Sequence, residues 1–282
     1  MFHDVLDACT VLAGHKLRLP VPATPHEIEE NPKLFPYFRK VLGALDGSHF
    51  DVRPPSDGAK PFRNRKGAYT TNVLVVCDLS GRLLFVLPGW EGSANDMKVF
   101  NNALVQKPSG FGIPQGWYYL ADAGYSCSSR LLVPYRGVRY HLQESARAGL
   151  RPATPEELYN LRHSQTRIIV EKAIGRLKGT FRIHRCAPSL SVETQVEVIV
   201  ATAAIMNWLL EYDDVVDRWD DEVTRKTVTL EEVMAQEKAR SVPFTDAERN
   251  GGATGYMAQY RQGIARRMWR DYCEELRRRG EL

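Results

Sequence analysis

Two apolar runs one short turn apart, TNVLVVCD (71–78) and RLLFVLPGW (82–90), limit what this chain can fold into more than any other feature. Both are rich in β-branched, leucine or aromatic residues, and Leu79, Ser80 and Gly81 between them predict a tight hairpin. Neither run alternates apolar with polar residues, as a strand with one wet face would. Strands apolar on both faces belong to a sheet covered on two sides. The hairpin therefore predicts an α/β fold with helices over the sheet.

The neighbouring segments supply the missing elements. Val41 to Val52 reads as a strand before the hairpin, and SANDMKVFNNALVQK as a helix after it, capped by Ser93 or Asn95. Gly116 to Leu120 makes another strand, ending at Asp122 and turned by Gly124. Residues 126–160 are loop-rich, with LLVPYRGVRYHL as a strand or short helix. Thr154, Pro155, Glu156 and Glu157 open a helix with a cap, a first-turn proline and acids at the positive dipole end. Leu161 to Ile183 reads as a long helix, and Glu193 to Tyr212, apolar nearly all round, as a buried one. At the front, Phe2, Val5, Leu6, Cys9 and Leu12 recur at helical spacing, before a passage with Pro20, Pro22, Pro25, Pro32 and Pro36 that reads as an irregular linker. After Asp213 the composition turns charged and polar, Gly251, Gly252 and Gly255 mark a joint, and a basic helix is expected near Ile264 to Arg279. The expected domains are 1–37, a helix and linker; 38–212, the main domain; and 213–282, a charged extension.

Composition narrows the setting. With 282 residues, 43% hydrophobic and 26% charged, the chain has enough material for a full core. A net charge of +4 permits a nucleic-acid partner without demanding one. The five cysteines are scattered and form no Cys-x-x-Cys pair, which predicts a reducing compartment without a disulfide framework. His184 and Cys186 lie close together, yet no second ligand pair is spaced to complete a zinc site. No apolar run approaches the roughly 20 residues of a membrane span. The N-terminus lacks the pattern of a secretory signal, so an intracellular, soluble protein is expected.

Three carboxylates stand in places where a lone acid is costly. Asp46 follows the apolar run 41–45, Asp122 ends an apolar strand beside Ala121, Ala123 and Gly124, and Glu171 lies on a basic amphipathic helix. Together such oxygens can cage a hard divalent cation. Each also has a plainer reading: a turn aspartate for Asp46 and Asp122, and an i,i+4 pair with Arg167 for Glu171. On the helix, Arg167, Lys178 and Arg182 share the stripe of Glu171 while Val170, Ile174, Leu177 and Phe181 form the core stripe. Carboxylate among cations suits a metal site that also grips a polyanion. Arg63, Arg65 and Lys66, near Tyr69, suit phosphate contacts, as do Arg136 and Arg139, although such clusters are often simply solvated loops. Asp96 reads as a helix-start acid that stabilises the dipole. Neither a GxSxG elbow nor a glycine-rich phosphate loop is present.

The stretches ALDGSHFDV, FRNRKGAYTTNVLVVCDLSGRLLFVLPGWEGSANDMKVF, YYLADAGYSCSSRLLVPYRGVRYHL and NLRHSQTRIIVEKAIGRLKGTF, with the helix before Asn207 and Trp208, resemble the nuclease domain of PIF/Harbinger transposases and their domesticated relatives. They occur in the family's order over about residues 40–210. The resemblance implies a ribonuclease-H-like mixed sheet flanked by helices, with a loop-rich insert and a helical C-terminal region. It also implies a DDE catalytic set of Asp46, Asp122 and Glu171 holding Mg2+ or Mn2+. DNA is the implied partner, with no membrane, the nucleus (and cytoplasm) as compartment, and oligomerisation left open. Full-length family members carry a helix-turn-helix before this domain, of which only Phe2 to Leu12 has a counterpart here, so a separate DNA-binding partner protein is expected. The expected activity is two-metal cleavage of DNA. The alternatives are a catalytically silent interaction module and a metal phosphoesterase acting on small nucleotides.

Overall fold

The computed structural model describes residues 1–105, 110–138, 151–212 and 255–281. Its elements are helices α1 (Phe2–Lys16) and α2 (His26–Glu29), strands β1 (Val41–Asp51), β2 (Thr70–Cys77) and β3 (Leu83–Glu91), helix α3 (Asp96–Val105), strands β4 (Tyr118–Leu120) and β5 (Leu131–Leu132), and helices α4 (Pro155–Thr180), α5 (Val192–Tyr212) and α6 (Tyr256–Arg278). The strands form one five-stranded sheet in the order β3-β2-β1-β4-β5. β1, β2 and β3 pair antiparallel, while β4 and β5 pair parallel, so the sheet is mixed. With its flanking helices this is the α/β, ribonuclease-H-like architecture expected from the sequence.

The chain gathers into two compact units, the first of residues 1–21, 44–112 and 169–228, the second of 22–43, 113–168 and 229–282. The division crosses β1 after Gly43 and α4 after Ile168.

In the first unit every residue of β2 is buried, as a run apolar on both faces requires. The β2–β3 turn closes with Asp78 N–H donating to Arg82 O at 3.0 Å, and Gly81 takes a positive φ of 86° that suits only glycine without strain. Asn95 caps α3 by accepting the N–H of Met97 at 2.9 Å. Helix α5 supplies Val198 and Ala201 to a small cluster with Leu6 of α1. It is not buried all round, because Trp208 and Tyr212 face outward. Asn207 of α5 is fully buried and works as a substitute strand at the outer edge of β3. Its Oδ1 accepts the Leu83 N–H at 2.8 Å, and its Nδ2 donates to Leu83 O at 2.6 Å and to Lys16 O at 3.0 Å.

In the second unit the Pro-rich passage departs from the irregular linker expected of it. One helical turn, α2, follows Pro25, and Ile28 and Phe38 are fully buried, with Phe38 edge-on to Tyr159 at 6.0 Å. Proline is compatible with a helix start, and the apolar residues between the prolines supply the burial. The two helices expected across 154–183 are one helix, α4, opened by a reciprocal cap. The Glu157 N–H donates to Thr154 Oγ1 at 3.2 Å, and Glu157 Oε2 accepts the Ala153 N–H at 2.7 Å. Inside it, His163 bonds Leu132 O at 3.0 Å, and burial holds its imidazole down at about 3. Helix α6 begins eight residues earlier than expected, with its inner stripe of Met257, Arg261, Ile264, Ala265, Met268 and Leu276 buried. Among the described residues no helix is long and apolar enough to cross a membrane. The glycines at 251 and 252, Arg139 and the end of LLVPYRGVRYHL fall outside the described residues.

Candidate nuclease site

Asp46 lies within β1, opposite Val75 of β2, and is half-buried. Side chains alternate across a strand, so Asp46, Ser48 and Phe50 share one face, and Gly47 and His49 the other. Asp46 Oδ1 accepts the N–H of its neighbour Gly47 at 2.8 Å.

Within the same unit the C-terminal half of α4 packs on the Asp46 face. Lys178 Nζ donates to Ser48 Oγ at 2.8 Å and to His49 O at 2.6 Å, and stands 4.5 Å from the centroid of the Phe50 ring. His184, on a 3-10 turn just past the helix, meets Phe50 edge-on at 5.1 Å. Later helix residues thus meet later strand residues, and the two elements run in the same sense. Glu171 precedes Lys178 by two turns on the same side of the helix, a rise of about 10 Å. That distance corresponds to about three strand residues, the separation of Asp46 from His49. Burial lowers the Lys178 ammonium to about 8, against the attraction of Asp51 and Asp46, which favours its charge.

Asp122 belongs to the second unit, directly after β4. It is only 3% exposed, and its Oδ1 accepts the Gly124 N–H at 2.9 Å. A Cβ at Gly124 would stand 3.1 Å from Asp122 Oδ1 and 3.5 Å from Oδ2. Glycine there keeps open the space beside both carboxylate oxygens. Arg136 clasps the same loop, donating from Nε to Ala123 O at 2.5 Å and from Nη2 to Tyr125 O at 3.0 Å. It is a positioning residue for Asp122, where the sequence had suggested a phosphate contact.

Asp96 is a residue whose second role the sequence hid. It opens α3, as a dipole-stabilising acid should, but its Oδ1 also accepts Asn72 Nδ2 at 2.6 Å. A Cβ at Gly47 would stand 2.5 Å from Asp96 Cγ. The carboxylate therefore braces β1 immediately beside Asp46, from the opposite face. Only a strand register could have revealed this, because Asp96 and Gly47 lie far apart in sequence.

The expected phosphate contacts divide. Arg63, Arg65 and Lys66 are exposed on a turn whose Asn64 Oδ1 accepts the N–H groups of Lys66 and Ala68. Arg167 needs correction: at 2% exposure its side chain is buried and offers no surface to a duplex. Arg182 is exposed but lies beyond the end of α4 on the 3-10 turn, so it does not continue the Glu171 stripe.

The donor chemistry of Asp46, Asp122 and Glu171, all carboxylate oxygen, suits Mg2+ or Mn2+, and the Gly124 cradle leaves room at Asp122. Among the described residues, however, no three His, Cys, Asp or Glu side chains are gathered closely enough to hold a metal ion.

Comparison with known proteins gives the same direction. The rat protein named "Putative nuclease HARBI1" is 31% identical over 188 residues, covering 65% of this chain and 49% of its own length. The human protein of that name is 28% identical over 188 residues, with the same coverage. "Protein ALP1-like" of Arabidopsis thaliana is 28% identical over 177 residues, covering 57% of this chain and 41% of its own length. The chain thus spans about half the length of the curated relatives it matches. No solved structure gives a significant match. The profile of the DDE superfamily endonucleases matches residues 45–207, more than half of the chain and all three acids. This protein belongs to the DDE superfamily endonucleases and resembles the Harbinger-derived nucleases among them.

Proposed function

We infer that the chain is a metal-dependent DNA endonuclease whose catalytic acids are Asp46, Asp122 and Glu171. The observation that supports this reading is the contact of α4 with β1 through Lys178 Nζ and Ser48 Oγ, with Glu171 two turns earlier on that helix and Asp46 two residues earlier on that strand, all inside the stretch that matches the family. Held by these carboxylates, Mg2+ or Mn2+ would supply an activated water and neutralise charge on the leaving oxygen.

The chain's own residues do the remaining work. Gly47 N–H and Gly124 N–H orient the two aspartates, and Arg136 fixes the loop that carries Asp122. Lys178, protonated below about pH 8, supplies positive charge beside Asp46 for a backbone phosphate. Arg63, Arg65 and Lys66 hold the duplex at an exposed turn. Phosphate contacts carry no sequence information, so a separate DNA-binding protein supplies target choice, and the work belongs in the nucleus.

A supercoiled-plasmid nicking assay tests the reading, run with Mg2+, with Mn2+ and with chelator, on the wild type and on Asp46→Ala, Asp122→Ala and Glu171→Ala. Nicking should need metal and fall at least about 100-fold in each variant, as loss of electrostatic stabilisation at a phosphoryl centre commonly does. Equal nicking by all four proteins removes the assignment. A folded wild type that binds DNA without cutting it selects the second reading, a silent interaction module.

A further inference from the structure

Helix α6 lies outside the stretch that matches the family, and its two faces are sharply sorted. The inner face is fixed within the second unit. Arg261 is fully buried, donates to Val133 O at 3.3 Å and Pro134 O at 3.2 Å, and sits 4.0 Å over the Tyr135 ring. Tyr37 Oη donates to Asp271 Oδ2 at 2.5 Å, which holds that carboxyl below its usual range.

The outer face carries Arg266, Arg270 and Arg277, all exposed and, at 100° per residue, within about 40° of one another. Arg266 and Arg270 are like charges at i,i+4, an arrangement that costs an isolated helix a few tenths of a kcal/mol. Of the three acids of α6, Glu274 is exposed beside Arg270, whereas Asp271 turns toward Tyr37 and meets Arg270 at Nε, 3.2 Å away, and Glu275 pairs with Arg278 at 3.2 Å and Arg279 at 2.7 Å, so the three arginines of this face outnumber its one outward acid. The helix contains no lysine, and the guanidinium fork suits phosphate oxygens.

The geometry points to this ridge as a second nucleic-acid contact, a backbone clamp that grips duplex phosphates independently of sequence. The rise from Arg266 to Arg277 is about 16 Å, or about five base-pair steps of one strand. The seating of Arg261 and Asp271 holds the ridge rigid, so its three charges reach the polyanion without first ordering a loop. The clamp rests on the nuclease reading only in taking DNA as the polyanion.

The test is fluorescence anisotropy of a 30-base-pair duplex with the full chain in EDTA, titrated with salt. It compares the wild type with the triple variant Arg266→Gln/Arg270→Gln/Arg277→Gln, both checked by circular dichroism. The slope of log K against log salt should shrink by about 2.7, at about 0.9 for each phosphate no longer neutralised, and Kd at 100 mM salt should rise at least about tenfold. An unchanged slope overturns the clamp and leaves the ridge to an acidic protein partner. The same preparations are assayed for Mn2+-dependent nicking. Absence of nicking with a reduced slope sinks the nuclease reading and leaves the clamp standing.

Discussion

Replacing Lys178 with methionine separates the charge of this residue from its packing. The structure gives two opposing contributions. Two charge-assisted hydrogen bonds, to Ser48 Oγ and His49 O, are removed, but His49 is exposed, so water can replace part of them. Against this, an ammonium held at about 8 instead of 10.5 is destabilised by burial. At about 1.4 kcal/mol per pH unit, that gap corresponds to roughly 3 kcal/mol of penalty while the group is charged. The two effects are of similar size, so Lys178→Met should change stability near pH 7 by less than about 1.5 kcal/mol.

The pH profile is more decisive. Because the folded pKa is the lower one, the unfolded chain holds more protons between pH 8 and 10.5, and wild-type stability rises with pH across that window. Urea denaturation at pH 7.5, 9 and 10 should show a wild-type gain of about 2 kcal/mol across that range relative to Lys178→Met. Parallel profiles for the two proteins would refute the claim that Lys178 is buried as an ammonium against β1.

Acid should destabilise the fold through two buried imidazoles. His184 is held at about 4 and His163 at about 3, so stability is complete above pH 6.5 and falls as pH drops below it, by roughly 3 kcal/mol for the pair between pH 7.5 and 5.5; a flat chemical-denaturation profile there contradicts their burial as neutral groups. Gly47→Ala should cost about 1–3 kcal/mol by crowding Asp96, and less in an Asp96→Ala background. A double-mutant cycle in thermal melts reads that coupling, and strict additivity would deny the brace. Asn207→Leu should cost about 2–5 kcal/mol, because it strips partners from both backbone groups of Leu83 and from Lys16 O; a melting temperature within 2 °C of wild type (roughly the effect of 1 kcal/mol) would mean the amide is dispensable.

Much of the architecture is legible in residue order because period and punctuation carry it. The hairpin, β1, α3, α5 and the helix opening at Thr154 follow from apolar runs, caps and a glycine turn, and all appear with close boundaries. Two expectations failed where long-range packing outweighed local signal. Pro20 to Pro36 reads as broken chain, yet Ile28 and Phe38 find core to fill. Arg167 reads as a surface cation because its helix stripe also holds Lys178, yet over the helix's length that stripe passes from interior to surface. The braces around the acids, Asp96 on Gly47 and Arg136 on the Asp122 loop, depend on pairings between remote segments, and no spacing rule encodes them.

The amide of Asn207 has one more consequence. β3 ends the sheet, and beyond it an unoccupied margin of N–H and C=O groups would invite another chain's strand, the first step toward fibrils. Where Leu83 meets α5, that margin is already taken by a side chain that a foreign strand would have to evict. This apolar hairpin is thus guarded at its start by one carboxamide, and loosening α5 should release self-association before it releases unfolding.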